Sequence, residues 1–460
     1  MNVDDLEWQA RVYGGIPPLT ADLLVELGHL DLVVKAADER GEWFCARAAV
    51  RELCAAGDHE RAWSVIEPFA ATGWEPAAKV AADVLFQLGR TADALALVRP
   101  NEPVKEGREW RDYALMLERA GRLDEAIDVL APHLQGWWMQ STLVEMTEGK
   151  DRDERVLELL TPLAEGARKA KAEGKWTHPG QQALDLQAQV LERAGRADEA
   201  IKNLATDVAE HRYFVQNTIG FYAGLLARQG RVEALHELAT GDHATVALEQ
   251  YVKVLDDAGR EEEAETVLRE IIEATDHSGH RSTLVRLLAR HGRIDDAVEV
   301  GRPTFEYYDC GNHLDWAIDL LVEDGRPEQA LALLDECSSE YVKEHPHSVR
   351  SSRLTLLANL GRYQEAITEA AAVPPEEYNR DVMLASLLEE AGRADEALAV
   401  LRTSAAPDGR RALTEFLLRQ GRPTEAIASL PSISAQHEAW EARRRTELEA
   451  DPWADNQLGT

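Results

Sequence analysis

Three short clusters hold the residue types from which chemistry is usually built. Asp276, His277 and His280 lie close together in "DHSGH", and His345 and His347 in "EHPHS". Imidazole and carboxylate suit a divalent metal. Each cluster, however, supplies two or three ligands on one loop where a structural zinc site needs four. The third cluster, "GARKAKAEGKW", sets Arg168, Lys169, Lys171 and Lys175 against a single Glu173 and is the only dense basic run of an acidic chain. It reads either as a solvated helix end with its loop or as an arm that touches acidic groups, on a partner or on the chain itself. No Gly-x-Ser-x-Gly elbow, Walker loop, His-Glu-x-x-His pair or CxxC pair is present. The carboxylates are too numerous for any pair to stand out. The expectation is a protein that is not an enzyme and holds no cofactor and no metal.

The charge narrows the partners. A formal net charge of −33 repels polyphosphate, because nucleic-acid binders gain affinity by replacing counterions with Lys and Arg. Nucleic acid is therefore not expected; a basic protein or peptide is compatible, and the charge also keeps a long apolar-cored chain in solution. The opening "MNVDDLEWQA" is acidic where a signal peptide would be basic and then apolar, and no stretch reaches membrane-helix length. Four cysteines, Cys45, Cys54, Cys310 and Cys337, are too few to staple this length and suit a reducing compartment. A cytoplasmic protein is the expectation, with no membrane partner.

The elements that must position these residues are set by a repeat. "LERAGRADEAI" at Leu191–Ile201 returns almost unchanged as "LEEAGRADEAL" at Leu388–Leu398. Glycines at 28, 57, 89, 121, 149, 195, 230, 259, 292, 325, 361, 392 and 421 mark units 28 to 36 residues long, with one interval of 46. Leu stands four residues before the glycine in twelve of these thirteen units, Arg follows it in ten, and Ala stands five residues after it in ten. One turn separates the Leu from a residue able to adopt the left-handed conformation that ends a helix. The acidic residues before the Ala suit the first turn of a second helix. Each unit is thus a helical hairpin, and a lone hairpin cannot bury both of its apolar faces, so stacking follows. The predicted fold is all-α: an α-solenoid, wound as a right-handed superhelix, of about 13 stacked helix-turn-helix repeats.

The phrase G-x-x-x-E-A between two amphipathic helices resembles the tetratricopeptide repeat. The unit around Gly121 comes nearest, with Trp110, Tyr113, Ala114, Leu117, Gly121, Ala126 and Leu130 on the marker positions. Arg-rich, Lys-poor and Ala-rich usage resembles that of high-G+C bacteria. In the resembling family the first helix of each pair lines a concave wall, exposing positions thirteen, ten, six and three before the glycine. The resemblance thus implies partner-binding positions at Arg108, Arg111, Gln182, Asp185, Gln189, Asn217, Gly220, Gly224, Lys253, Arg286, Asn312 and Asp315. Gly220 and Gly224 each cost a helix interior about 1 kcal/mol relative to Ala. Either a partner backbone or the neighbouring repeat approaches closely there.

The long interval between Gly149 and Gly195, with Glu145 in place of Leu and Glu154 in place of Ala, predicts a break in the stack. The expected organisation is an N-terminal superhelix over 1–164, an irregular basic hinge over 165–180, a C-terminal superhelix over 181–433, a capping helix over 434–450 and a disordered tail over 451–460. "QGWWMQS" (Trp137, Trp138, Met139) just before the break suits gap filling more than ligand gripping. The function implied is a non-catalytic scaffold or adaptor that binds a polypeptide in its groove. The alternative is a regulatory sensor that binds a small molecule or short peptide between the two superhelices.

Overall fold

A computed structural model describes residues 2–100, 107–175, 178–210, 216–241, 243–275, 278–302, 313–374, 379–404 and 408–450. All regular structure among these residues is helical. Each of the thirteen marker glycines has a positive φ, from 63° at Gly230 to 81° at Gly28. Around most of them the chain end of one helix is closed by two backbone bonds. At Gly89, for example, the glycine N–H donates to Phe86 O at 3.0 Å and the Arg90 N–H to Leu85 O at 2.9 Å. The same bond to the carbonyl of the marker leucine recurs at Arg196–Leu191, Arg260–Leu255, Arg326–Leu321 and Arg393–Leu388. This is the Schellman closure, in which the residue after the glycine reaches the carbonyl five positions back. The spacing Leu-x-x-x-Gly-Arg is its sequence record.

The arginine then serves the next helix. Its guanidinium pairs with the acidic residue three positions on, at 2.9 Å for Arg90–Asp93, 2.6 Å for Arg260–Glu263 and 2.7 Å for Arg393–Glu396. It also reaches the preceding repeat, at 3.4 Å for Arg196–Glu154 and 2.6 Å for Arg231–Asp198. All ten marker alanines, from Ala62 to Ala426, are fully buried, and all twelve marker leucines are at most 3 % exposed. Small and large buried side chains alternate at each hairpin crossing, which lets the helices interlock.

The chain forms two compact units, Met1–Gly121 with Tyr363–Thr460, and Arg122–Arg362. In the first, the hairpins Pro18–Glu26/Leu30–Arg40, Trp43–Ala55/His59–Ala70 and Glu75–Gln87/Thr91–Val98 stack in order. The last hairpin, Gly409–Arg419/Pro423–Ala428, packs against the first of these, so that Leu417, Leu418, Ala426 and Leu430 share one core with Leu24, Ala36, Phe44 and Phe69. End repeats of a helical array carry an uncovered apolar face. Here the first and last hairpins cover each other, each buried leucine contributing on the order of 2 kcal/mol. The helix Ile433–Ala450, where a cap was expected, continues past this contact.

The second unit stacks six hairpins, whose first helices are Trp137–Met146, His178–Arg193, Gln216–Arg228, Ala244–Asp257, Ser278–Arg290 and His313–Glu323. The 46-residue interval is explained by a second helix of 20 residues, Asp153–Ala172, which ends at Gly174 with φ 71°. Most of the basic run therefore lies on the last turns of a packed helix.

Candidate functional site

In the second unit several of the positions expected on the first helices lie against residues of the neighbouring repeat. Gln182 Nε2 donates to Ser141 Oγ of the preceding repeat at 3.2 Å, and Arg228 pairs with Glu192 at 2.7 Å. Arg286 pairs with Glu249 at 3.0 Å, and the Ser352 hydroxyl meets Asp315 at 3.4 Å. Each of these contacts joins a first helix to the first helix of the neighbouring repeat. Asn217, Lys253 and Arg286 are exposed on these helices, and Gln182 and Gln189 are half-buried. Arg111 is half-buried and Arg108 exposed; both belong to the first unit, on the helix Arg108–Arg119. Asn312 falls outside the described residues.

The two glycines differ. A Cβ on Gly220 would meet Val246 of the next first helix at 3.7 Å, ordinary packing distance, so close approach there is between repeats. A Cβ on Gly224 would meet the Arg228 guanidinium at 3.2 Å. The bare patch is thus roofed by an arginine held in place by Glu192, whose carboxyl lies below the usual carboxylate range chiefly through that Arg228 hydrogen bond.

Asp185 departs most from expectation. It is only 4 % exposed and faces inward. The long helix Asp153–Ala172 brings Arg168 and Lys171 against the back of its hairpin, and a short chain of polar groups runs through the interface. Arg168 grips Asp207 with two bonds, 2.9 and 3.0 Å, and also donates to Gln187 Oε1 at 3.3 Å. Gln187 Nε2 in turn donates to Thr161 Oγ1 at 3.0 Å. Lys171 Nζ and Asp185 Oδ1 are enclosed without a hydrogen-bond partner among the described residues. Burial pushes the Asp185 carboxyl up to about 7, against the Thr218 hydroxyl and the Lys171 ammonium, with Asp207 adding to the rise. Burial also lowers Lys171 below an ordinary lysine, with Asp207 and Asp185 opposing. The basic run is therefore partly an internal tie: Arg168 is committed to Asp207, Lys175 pairs with Glu173 at 2.7 Å, and Lys169 is exposed.

The pattern of spacing alone had not singled out Gln187, Asp207 or Thr218. Their only signal was a polar residue at a position where the helix period calls for an apolar one. Met139 is buried as a gap filler, whereas Trp137 and Trp138 remain 43 % and 39 % exposed. Among the described residues no cluster of His, Cys, Asp and Glu could hold a metal ion, and no helix is long and apolar enough to cross a membrane.

The repeated hairpin geometry defines an all-α helical-repeat protein. No protein-family model matches the sequence. No curated protein matches it. Among solved structures the chain is similar to that of Naa15/Naa10 bound to HypK-THB, at 14% identity and TM-score 0.40 over 89% of this chain and 76% of that one. It is similar also to the pentatricopeptide repeat protein PPR10 from maize (16% identity, TM-score 0.33, 87% of this chain and 66% of that one). A third likeness is to the APC/C hetero-tetramer Cut9-Hcn1, at 13% identity and TM-score 0.25 over 91% and 92% of the two chains. These likenesses concern the fold alone.

Proposed function

We propose that the chain is a non-catalytic, tetratricopeptide-like scaffold of the bacterial cytoplasm whose second unit binds a polypeptide along its row of first helices. The observation that supports this most is that side chains of neighbouring first helices touch one another, with the amides of Gln182, Gln189 and Asn217 and the charges of Lys253 and Arg286 half-buried or exposed on those helices. Side-chain amides both donate and accept, so they pair with an extended main chain without reading its sequence. With a net charge of −33 the whole chain favours a basic partner and disfavours nucleic acid. Asp185, being buried, supports the row from behind and does not contact the partner.

The test is capture from a lysate of the native host, with bound proteins identified by mass spectrometry, using the wild-type chain, Gln189→Glu, Asn217→Glu and Gly224→Gln. New carboxylates at 189 and 217 oppose peptide carbonyls, and the side chain at 224 pushes Arg228 away from Glu192. Asn217 is exposed, so its substitution should shift stability by about 0.5 kcal/mol or less; Gln189 and Gly224 are half-buried, so melting is measured for each variant and one protein band should be lost beyond any change in melting. Equal capture by all four chains, with melting unchanged, overturns the assignment of this row.

A further inference from the structure

The helix Ile433–Ala450 lies across the first unit in a way its sequence explains. Along it, Ile433, Gln436, His437, Trp440 and Arg444 are half-buried and the intervening residues are exposed, a stripe with the helical period. The stripe is mixed in character. Gln436 accepts the Gly15 N–H at 3.0 Å and donates to the Gly15 carbonyl at 3.2 Å. His437 stacks on Trp8 with ring centroids 4.7 Å apart, and the guanidinium of Arg11 lies 5.2 Å from the centre of the Trp440 ring. None of its described side chains is buried, whereas the neighbouring helix Gly409–Arg419 buries Phe416, Leu417 and Leu418.

The surface beneath is built independently of the helix. Glu42 accepts the Ile16 N–H at 2.7 Å and pairs with Arg40 at 3.0 Å, which fixes the segment that Gln436 grips. Two cavities, of about 700 and 600 Å³ and open to solvent, border the helix: Asp5, Val34, Asp38, Phe69 and Ile433 line the first, and Asp4, Glu7, Trp8, Trp74 and His437 the second. The rim is acidic, and Asp5 and Asp38 have no counter-ion among the described residues. Of the helix's three arginines only Arg444 lies on the half-buried stripe, and Glu438, Glu441, Glu447 and Glu449 offset their charge, so the occupant now present matches the acidic rim poorly.

We infer that Ile433–Ala450 is a displaceable internal occupant of a helix-binding surface formed by the helices Val3–Val12, Leu30–Arg40 and His59–Ala70, and that the partner is a basic amphipathic helix presenting an amide, an aromatic and an arginine on one stripe. Gln436 reads only backbone, so a foreign helix can reproduce its bonds. Larger apolar side chains would enter the cavities that Ile433 and His437 leave open. This surface is separate from the row of first helices in the second unit, and the variants at 189, 217 and 224 leave it intact.

Two measurements test it. In the intact chain, hydrogen exchange of residues 433–446 should be at least about tenfold faster than that of 409–419, reporting local release. Equal protection of the two helices overturns the inference, and this holds whether or not any truncated chain folds. Second, a chain ending at Ser432 is titrated with a labelled peptide of residues 433–450 and followed by fluorescence anisotropy. The truncated chain should bind saturably, the intact chain at least about tenfold more weakly, and peptides carrying Trp440→Ala or Arg444→Ala more weakly still. Absence of binding by a truncated chain that retains its helical circular dichroism overturns the inference. So does a concentration-dependent dimer of the intact chain, which would make a second copy of the same helix the occupant.

Discussion

Changing Asp185 to Asn should alter how stability depends on pH, in the direction opposite to most aspartates. Its carboxyl goes from an ordinary 3.8 to about 7 in the folded chain, chiefly through burial. A raised carboxyl pKa means that the folded state holds a proton the unfolded state has released. Its stabilisation is complete below about pH 4, falls as pH rises, and is gone above about pH 7. The shift of about three units corresponds to on the order of 4 kcal/mol at about 1.4 kcal/mol each. Between pH 5 and 7 the wild-type chain should lose about 2 kcal/mol relative to Asp185→Asn, the last part being blunted as Asp185 itself begins to ionise. The carboxylates held low by arginine, Glu192 and Glu265 among them, lose their contribution only as pH falls through the acid range, so they leave this window clear. Subtracting the variant's curve from the wild-type curve removes the groups that do not sense Asp185, leaving Asp185 and its coupling to Lys171 and Asp207. A repeat array does not unfold in one step, so the readout is hydrogen exchange of amides in His178–Arg193 at pH 5, 6, 7 and 8, corrected for intrinsic rates, with urea titrations alongside. Parallel curves for the two proteins would refute the placement of Asp185 in a closed, poorly solvated interface.

Other expectations follow from the repeat itself. Ala200→Leu and Ala397→Leu, each at a fully buried crossing, should cost about 1 to 3 kcal/mol by overpacking, with the rise in hydrogen exchange confined to the hairpins next to the change. Gly259→Ala has open space for its methyl group but must hold φ 69°, so a loss of about 1 to 2 kcal/mol, read as a lower urea midpoint, comes from backbone conformation alone. Gly220→Ala should be neutral or stabilising by up to about 1 kcal/mol, because its Cβ meets Val246 at 3.7 Å in a regular helix; a clear loss of melting temperature would contradict that packing.

Much of the hairpin is legible residue by residue because its determinants are local. A Leu carbonyl, a left-handed glycine and an arginine N–H lie within six consecutive residues, and helix geometry allows few other ways to close them. The alanine five positions on must be small for two helices to cross, and each of the ten is buried. Such spacing survives translation along the chain, so thirteen copies reinforce one reading. What the pattern left ambiguous were residues whose neighbours come from elsewhere. Asp185 occupies a position that faces outward on an average repeat, and it was turned into a dry interface by one lengthened helix that carries Arg168 and Lys171 behind it. The tie between Arg168 and Asp207 spans 39 positions, and the bonds between Gly15 and Gln436 span 421. No periodicity encodes which surfaces meet at such separations. The contact of the first and last hairpins of the first unit likewise joins the two ends of the sequence, a meeting that no single repeat's spacing specifies and that tertiary packing decides.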